Sequence, residues 1–220
     1  ALRAVELSGS KFTMIELGCG WGCWMSNTGV AAAWKGKLLD LIGVEGDTLH
    51  IDFAKETFAA NNIKPHQFTL LRGIAASEGG LALFPRRVDV EERWGYAPRF
   101  GVSKEESAEA VASGDFDSLV MMPLKDVIGH RTRIDLLHMD IQGGEADLVA
   151  KSIEILNERV AYVVIGTHSR SIEGRLMDTM LGAGWYLEIE RPAIFNIPGG
   201  QPQTTVDGVQ GWRNPRLLPT

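Results

Sequence analysis

Three glycines at alternate positions, Gly18, Gly20 and Gly22, follow the apolar run 12–17, and the acid Glu16 stands just before them. Glycine at the end of a strand lets the backbone turn sharply and come close to a ligand that a Cβ would hold off. In a doubly wound sheet, ligands bind outside the carboxyl ends of the strands. The loop is therefore where this chain is expected to hold something. Its spacing is not the dinucleotide fingerprint G-x-G-x-x-G, because the third position counted from Gly18 is Cys23. An acid before the loop repels pyrophosphate and suits a ligand that carries a cation.

S-adenosylmethionine answers that description, with a sulfonium, an ammonium and no phosphate. A second acid supports it. Glu45, 27 residues after Gly18, closes the next apolar run, and a carboxylate there can accept hydrogen bonds from both ribose hydroxyls. Asp40 and Asp47 flank it as weaker choices. For proton transfer the first choice is His168, at the end of 162–169, because an imidazole titrates near neutrality. Asp140 is the second, as base or as a group that orients substrate. His138 falls on the same face of its strand as Asp140 and reads as a core histidine. Cys19 and Cys23 have no further cysteine or histidine beside them, so they read as small buried side chains in a reducing, cytoplasmic setting. Nothing demands a metal.

Alternating apolar runs and helix-length segments must position these groups. Strands are expected at 12–17, 38–45, 68–76, 81–84, 134–141 and 162–169, with a final pair at 185–190 and 205–213. Helices are expected at 24–34, 48–62, 144–160 and 171–184. This is an α/β Rossmann-like pattern: a mainly parallel sheet covered on both faces, with one antiparallel strand at the far end. Segment 85–117 breaks the pattern and reads as an insertion with one helix, in a chain otherwise of one domain. Trp94, Tyr96, Arg86, Arg87, Arg93 and Arg99 within it are the groups that could meet a sugar ring or an anion.

With 22 Lys and Arg against 28 Asp and Glu, the formal charge is −6, which disfavours nucleic acid as a partner. No apolar run is long enough to span a membrane. The chain begins without Met and without the apolar stretch of a signal peptide, so the expectation is a trimmed N-terminus.

The stretch "IDLLHMDIQGGEADLV", 134–149, resembles the signature of the FkbM-type methyltransferases, close to I-D-L-L-K-x-D-x-E-G-x-E. Ile134, Asp135, Leu136, Leu137, Asp140, Gly143 and Glu145 match, while His138 replaces Lys and Gln142 replaces the first Glu. "MIELGCGWG" resembles the family's glycine loop, "GVEGD" its acidic turn with Gly46 for Pro, and "LLRGIAAS" the end of its third strand. The resemblance implies S-adenosylmethionine as cofactor. Glu16, Gly18, Gly20, Trp21 and Gly22 would hold its methionine half, Glu45 and Gly46 the ribose, and Gly73, Ile74 and Ala75 the adenine, with Asp140 facing the methyl group. Glu145 reads as an acid favoured by the start of its helix. The resulting expectation is O-methylation of a sugar or secondary metabolite by a protein that could self-associate. The alternatives are a nicotinamide-dependent oxidoreductase and a cofactor-binding domain without catalysis.

Overall fold

The computed structural model describes residues 1–86 and 97–218 of the 220-residue chain. After a short helix α1 (Leu2–Leu7), strand β1 (Lys11–Leu17) buries every residue but its first. Its side chains alternate between two cores: Phe12 and Met14 face one layer, Ile15 and Leu17 the other. A strand buried on both faces belongs in the middle of a covered parallel sheet.

Helix α2 (Cys23–Trp34), β2 (Leu38–Glu45) and α3 (Thr48–Ala60) follow, and the Asp47 side chain caps α3 by accepting from the Leu49 amide at 2.7 Å. Next come β3 (Phe68–Arg72), β4 (Ile74–Ala76), β5 (Gly80–Pro85), α4 (Lys104–Ala112), β6 (Phe116–Pro123) and α5 (Leu124–Ile128). The chain continues through β7 (Leu136–Met139), α6 (Glu145–Arg159), β8 (Tyr162–Thr167), α7 (Arg170–Gly182), β9 (Tyr186–Arg191), the hairpin β10 (Ile194–Asn196) and β11 (Gln203–Val206), and β12 (Gly208–Arg213).

The main sheet runs β3-β2-β1-β7-β8-β12-β9, with β12 antiparallel to both its neighbours and the other pairs parallel. Helices α1, α2 and α3 cover one face, and α5, α6 and α7 the other. This is the Rossmann-like α/β arrangement with an antiparallel strand near one edge. Strands β1, β2, β7 and β8 therefore end side by side, and so do the loops after them.

Three sequence expectations change. The run 205–213 divides at Asp207, its first residues joining β11 in the two-stranded hairpin and the rest forming β12 of the main sheet. The run 68–76 is not one strand. It breaks at Gly73, where a Cβ would lie 2.7 Å from Met122 Cε and 2.9 Å from the Val120 carbonyl oxygen. There β4 leaves the main sheet and pairs with β6, in a small sheet ordered β4-β6-β5. Segment 85–117 holds the expected helix, α4, but it also supplies the start of β6. Arg86 pairs with Asp117, and the Arg99 backbone bridges to Leu83 while its guanidinium lies over the Phe116 ring at 5.6 Å. Those two arginines brace the small sheet. Arg87, Arg93, Trp94 and Tyr96 lie outside the described residues.

Candidate active site

A cleft of about 270 Å³ opens where β1, β2, β3 and β7 end and β4 begins, and 20 described residues line it. The glycine loop forms one wall. Gly18, Gly20 and Gly22 all have positive φ (73°, 50° and 75°), which explains the residue type at each. At Gly18 the packing is stricter still, since a Cβ would fall 2.1 Å from the carbonyl oxygen of Asp140. The ends of β1 and β7 can approach this closely only through a glycine.

Glu45 ties the loop to the end of β2. Its Oε2 accepts from the Gly20 amide at 2.8 Å, and its Oε1 accepts from the Gly46 and Asp47 amides at 2.8 and 2.9 Å. At least three of a carboxylate's roughly four acceptor positions are thus taken by backbone. Glu45 is buried and presents about one position to a ligand, not the bidentate pair expected for a ribose diol. Beside it, a Cβ on Gly46 would lie 3.0 Å from Ile74 and 3.1 Å from the Phe84 ring. Gly46, Ile74, Ala75 and Phe84 make this part of the lining apolar.

Glu16, almost wholly buried, caps α2 by accepting from the Met25 amide at 3.0 Å. Its Oε1 lies 3.4 Å from His138 Nδ1 but off the N–H line, so that nitrogen makes no hydrogen bond. Burial raises the Glu16 carboxyl above the usual range, against the opposing pull of His138 and the backbone amides. His138 in turn packs under Trp24, ring centroids 4.9 Å apart. The described lining carries three carboxylates (Glu16, Glu45 and Asp140) and two histidines (His50 and His138), with no Lys or Arg. Such a lining fits a cationic ligand and has nothing to neutralise a pyrophosphate.

Where β7 and β8 end, three titratable groups meet. His168 Nε2 lies 3.1 Å from Asp140 Oδ1, and His168 Nδ1 lies 3.1 Å from Glu145 Oε1. The second contact is at an angle to the N–H bond, a close charge pairing more than a linear hydrogen bond. Burial alone would lower the imidazole, but the two carboxylates outweigh it and raise it to about 10. The His168 contact in turn holds Asp140 below the usual carboxylate range, against its own partial burial. In the free protein at neutral pH this ring is an imidazolium. The three groups offer ligand atoms within 4.8 Å of one another, yet the carboxylates face different ring nitrogens. That arrangement suits a shared proton better than a metal ion, which would need both carboxylates beside one nitrogen.

No family model matches the chain. A protein of Jannaschia sp. (strain CCS1) named "Putative methyltransferase" is 44% identical over 217 residues, which make up 99% of this chain and 77% of that protein. The chain belongs to the methyltransferases. Among solved structures, methyltransferase FkbM from Methylobacillus flagellatus KT aligns over 92% of this chain with a TM-score of 0.54 and 14% identity. The chain spans 44% of that protein's length, and the likeness is one of fold.

In this methyltransferase the cleft gathers Glu16, Gly18, Gly20, Trp21, Glu45, Gly46, Gly73, Ile74, Ala75 and Asp140 from the residues expected on sequence. Two others stand elsewhere. Gly22 does not line the cleft: it is the N-cap of α2, where a Cβ would meet the Phe58 ring at 2.7 Å. His168 is set behind Asp140 and reaches the cleft through it. Trp24, His50, Phe84, Pro98, Ile141 and Gln142 also line the cleft, and sequence reasoning did not assign them. Alternation along β7 was enough to put His138 beside Asp140. Phe84 and Pro98 arrive through the small sheet, which no local pattern announced. Cys19 and Cys23 are free thiols. Burial, aided by Glu16 and Glu45, pushes the Cys19 thiol well up, so it is no nucleophile at neutral pH. Among the described residues, no helix is long and apolar enough to cross a membrane.

Proposed function

We propose that the chain is an FkbM-type, S-adenosylmethionine-dependent O-methyltransferase acting on a hydroxyl of a sugar or secondary metabolite. The observation that carries this reading is the cleft itself: a glycine loop braced by Glu45, lined among the described residues by three carboxylates and by no Lys or Arg. The signature from Ile134 to Glu145 supports the finer family assignment. Glu16, Gly18, Gly20 and Trp21 would hold the methionine half, Glu45 one ribose hydroxyl, and Gly46, Gly73, Ile74, Ala75 and Phe84 the adenine. When bound, the cofactor supplies a methyl group on a sulfonium, a good leaving group. The protein's own contribution is then alignment, which recovers on the order of 7–11 kcal/mol of barrier in well-oriented reactions. Asp140 orients the acceptor. His168 takes the hydroxyl proton, a role worth roughly 10²–10⁴-fold, once its own proton has left to solvent.

Isothermal titration of the chain with S-adenosylhomocysteine, with NAD as control, tests the reading. Micromolar binding of the first and none of the second is expected. NAD binding alone would replace methyl transfer by hydride chemistry, and binding of neither would make the glycine loop a structural turn.

A further inference from the structure

Glu145 is the first residue of α6 and is fully buried. A carboxylate that merely answered the helix macrodipole would stay in solvent beside the first turn. This one folds back. Its Oε1 accepts from the Ile141 amide at 3.0 Å, and both its oxygens accept from the Gly143 amide, at 3.2 and 3.1 Å. The same Oε1 stands 3.1 Å from His168 Nδ1. The loop it gathers is under tension, with Gln142 at φ 59° and Gly143 at φ 111°. That loop carries Ile141 and Gln142 into the cleft directly after Asp140.

We propose that Glu145 is a positioning residue for His168: it keeps the proton on Nδ1 and turns Nε2 toward Asp140 and the cleft. The inference rests on the methyl-transfer reading for its purpose. With the cofactor bound, as the acceptor O–H and the C–S bond broke and the O–C bond formed, the hydroxyl proton would pass by way of Asp140 to a deprotonated Nε2, the nitrogen that faces Asp140 at 3.1 Å. Between the two carboxylates, the buried one keeps its proton partner and the half-exposed Asp140 gives way, because an unpaired charge costs more where water is absent.

Among the described residues, the charged and polar groups around the ring are these. Asp140 and Glu145 face it from the β7–α6 side, and Gln142 and His138 act on Asp140. On α7, Arg170 is paired with Glu173 at 3.6 Å. From β11, the Thr204 hydroxyl donates to the His168 carbonyl oxygen at 2.8 Å and adds no charge.

The test is a pH titration of the ¹⁵N-histidine-labelled chain by NMR, with His168 assigned by His168→Gln. In the wild type the ring stays charged to about pH 10. Glu145→Gln is expected to lower that midpoint by roughly one to three units, the usual effect of removing one adjacent opposite charge. Glu145→Asp, which keeps the charge but falls short of Nδ1, guards against misfolding of the first variant and is expected to lower it too. In Asp140→Asn, whose ring becomes neutral at lower pH, the neutral form is expected to carry its proton on Nδ1. A midpoint unmoved in both Glu145 variants, or a neutral ring protonated on Nε2, overturns the proposal. S-adenosylhomocysteine titration of the same samples separates the two readings: titrations as expected without ligand binding keep the clamp and remove methyl transfer, and binding with an unmoved ring does the reverse.

Discussion

Replacing Glu45 by Gln tests how the glycine loop is held. The change keeps size and shape and removes one acceptor oxygen. If the amide oxygen stays with Gly46 and Asp47, the new NH₂ points at the Gly20 amide, a donor facing a donor where 2.8 Å separated donor from acceptor. If the amide flips, two amides lose their acceptor in place of one. Either way at least one hydrogen bond to a charged acceptor goes, and such bonds contribute about 1.5–3 kcal/mol. The Gly20 amide then has to find a new partner before a ligand can sit against the loop. With about 1.4 kcal/mol per tenfold change, S-adenosylhomocysteine affinity should fall roughly 10- to 150-fold, before any loss of the ribose contact. Glu45→Ala should fall at least as far. The assay is isothermal titration, with hydrogen exchange at Gly20 as the local readout: its amide should exchange much faster in Glu45→Gln. Affinity within twofold of wild type, with Gly20 still protected, would refute the claim that this carboxylate braces the loop.

Two further outcomes follow from the same geometry. Gly18→Ala sets a Cβ against the Asp140 carbonyl at a position with φ 73°. The left-handed conformation alone costs about 1–2 kcal/mol, so chemical denaturation should show a loss larger than that, and S-adenosylhomocysteine binding should disappear. The second outcome concerns pH. The His168 ring is raised in the fold from 6.5 to about 10, so its contribution to stability is complete below about pH 6.5 and is lost as pH rises toward 10. Asp140 has the opposite sign: held low, it stabilises above its unfolded value near 3.8 and loses that contribution in acid. His168→Gln should flatten the alkaline arm of a stability–pH profile measured by urea unfolding, and an unchanged arm would place the ring outside the two-carboxylate pairing.

Much of the sheet was legible because its strands are short apolar runs punctuated by glycine, and parallel pairing leaves them buried on both faces. The cleft's floor followed from the same signal, since glycines and acids at strand ends fall together once the strand order is known. The small sheet was not legible. Residues 116–123, "FDSLVMMP", have Asp117 and Ser118 near their start and carry only the four-residue apolar run 119–122, of which Leu119 alone is buried, so no alternation marks the strand and the run is too short to tell strand from helix. The hairpin β10–β11 was missed for a related reason: all seven of its residues are exposed, and a strand without a buried face has no period to read.

Glu145 shows where local reasoning stops. An acid at the first turn of a helix satisfies the helix dipole, and that explanation is complete without any tertiary contact. The sequence thus offered a sufficient cause, and it was not the governing one. Burial separates the two, because a dipole partner in water gains a few tenths to one kcal/mol, while a buried carboxylate must be met by donors on each oxygen. Here the donors are the amides of a loop with two positive φ values, and the ring of a histidine 23 residues further on adds a close charge contact. Neither could be inferred from position 145, since one depends on how the loop turns after β7 and the other on β8 pairing beside it. The same consideration bears on Gln142. Its side chain donates to Asp140 at 3.4 Å, and a Glu there would add a third carboxylate beside Asp140 and Glu145 and repel both. With Gln, the two carboxylates around His168 face one imidazolium and carry a net charge of about −1 in place of about −2.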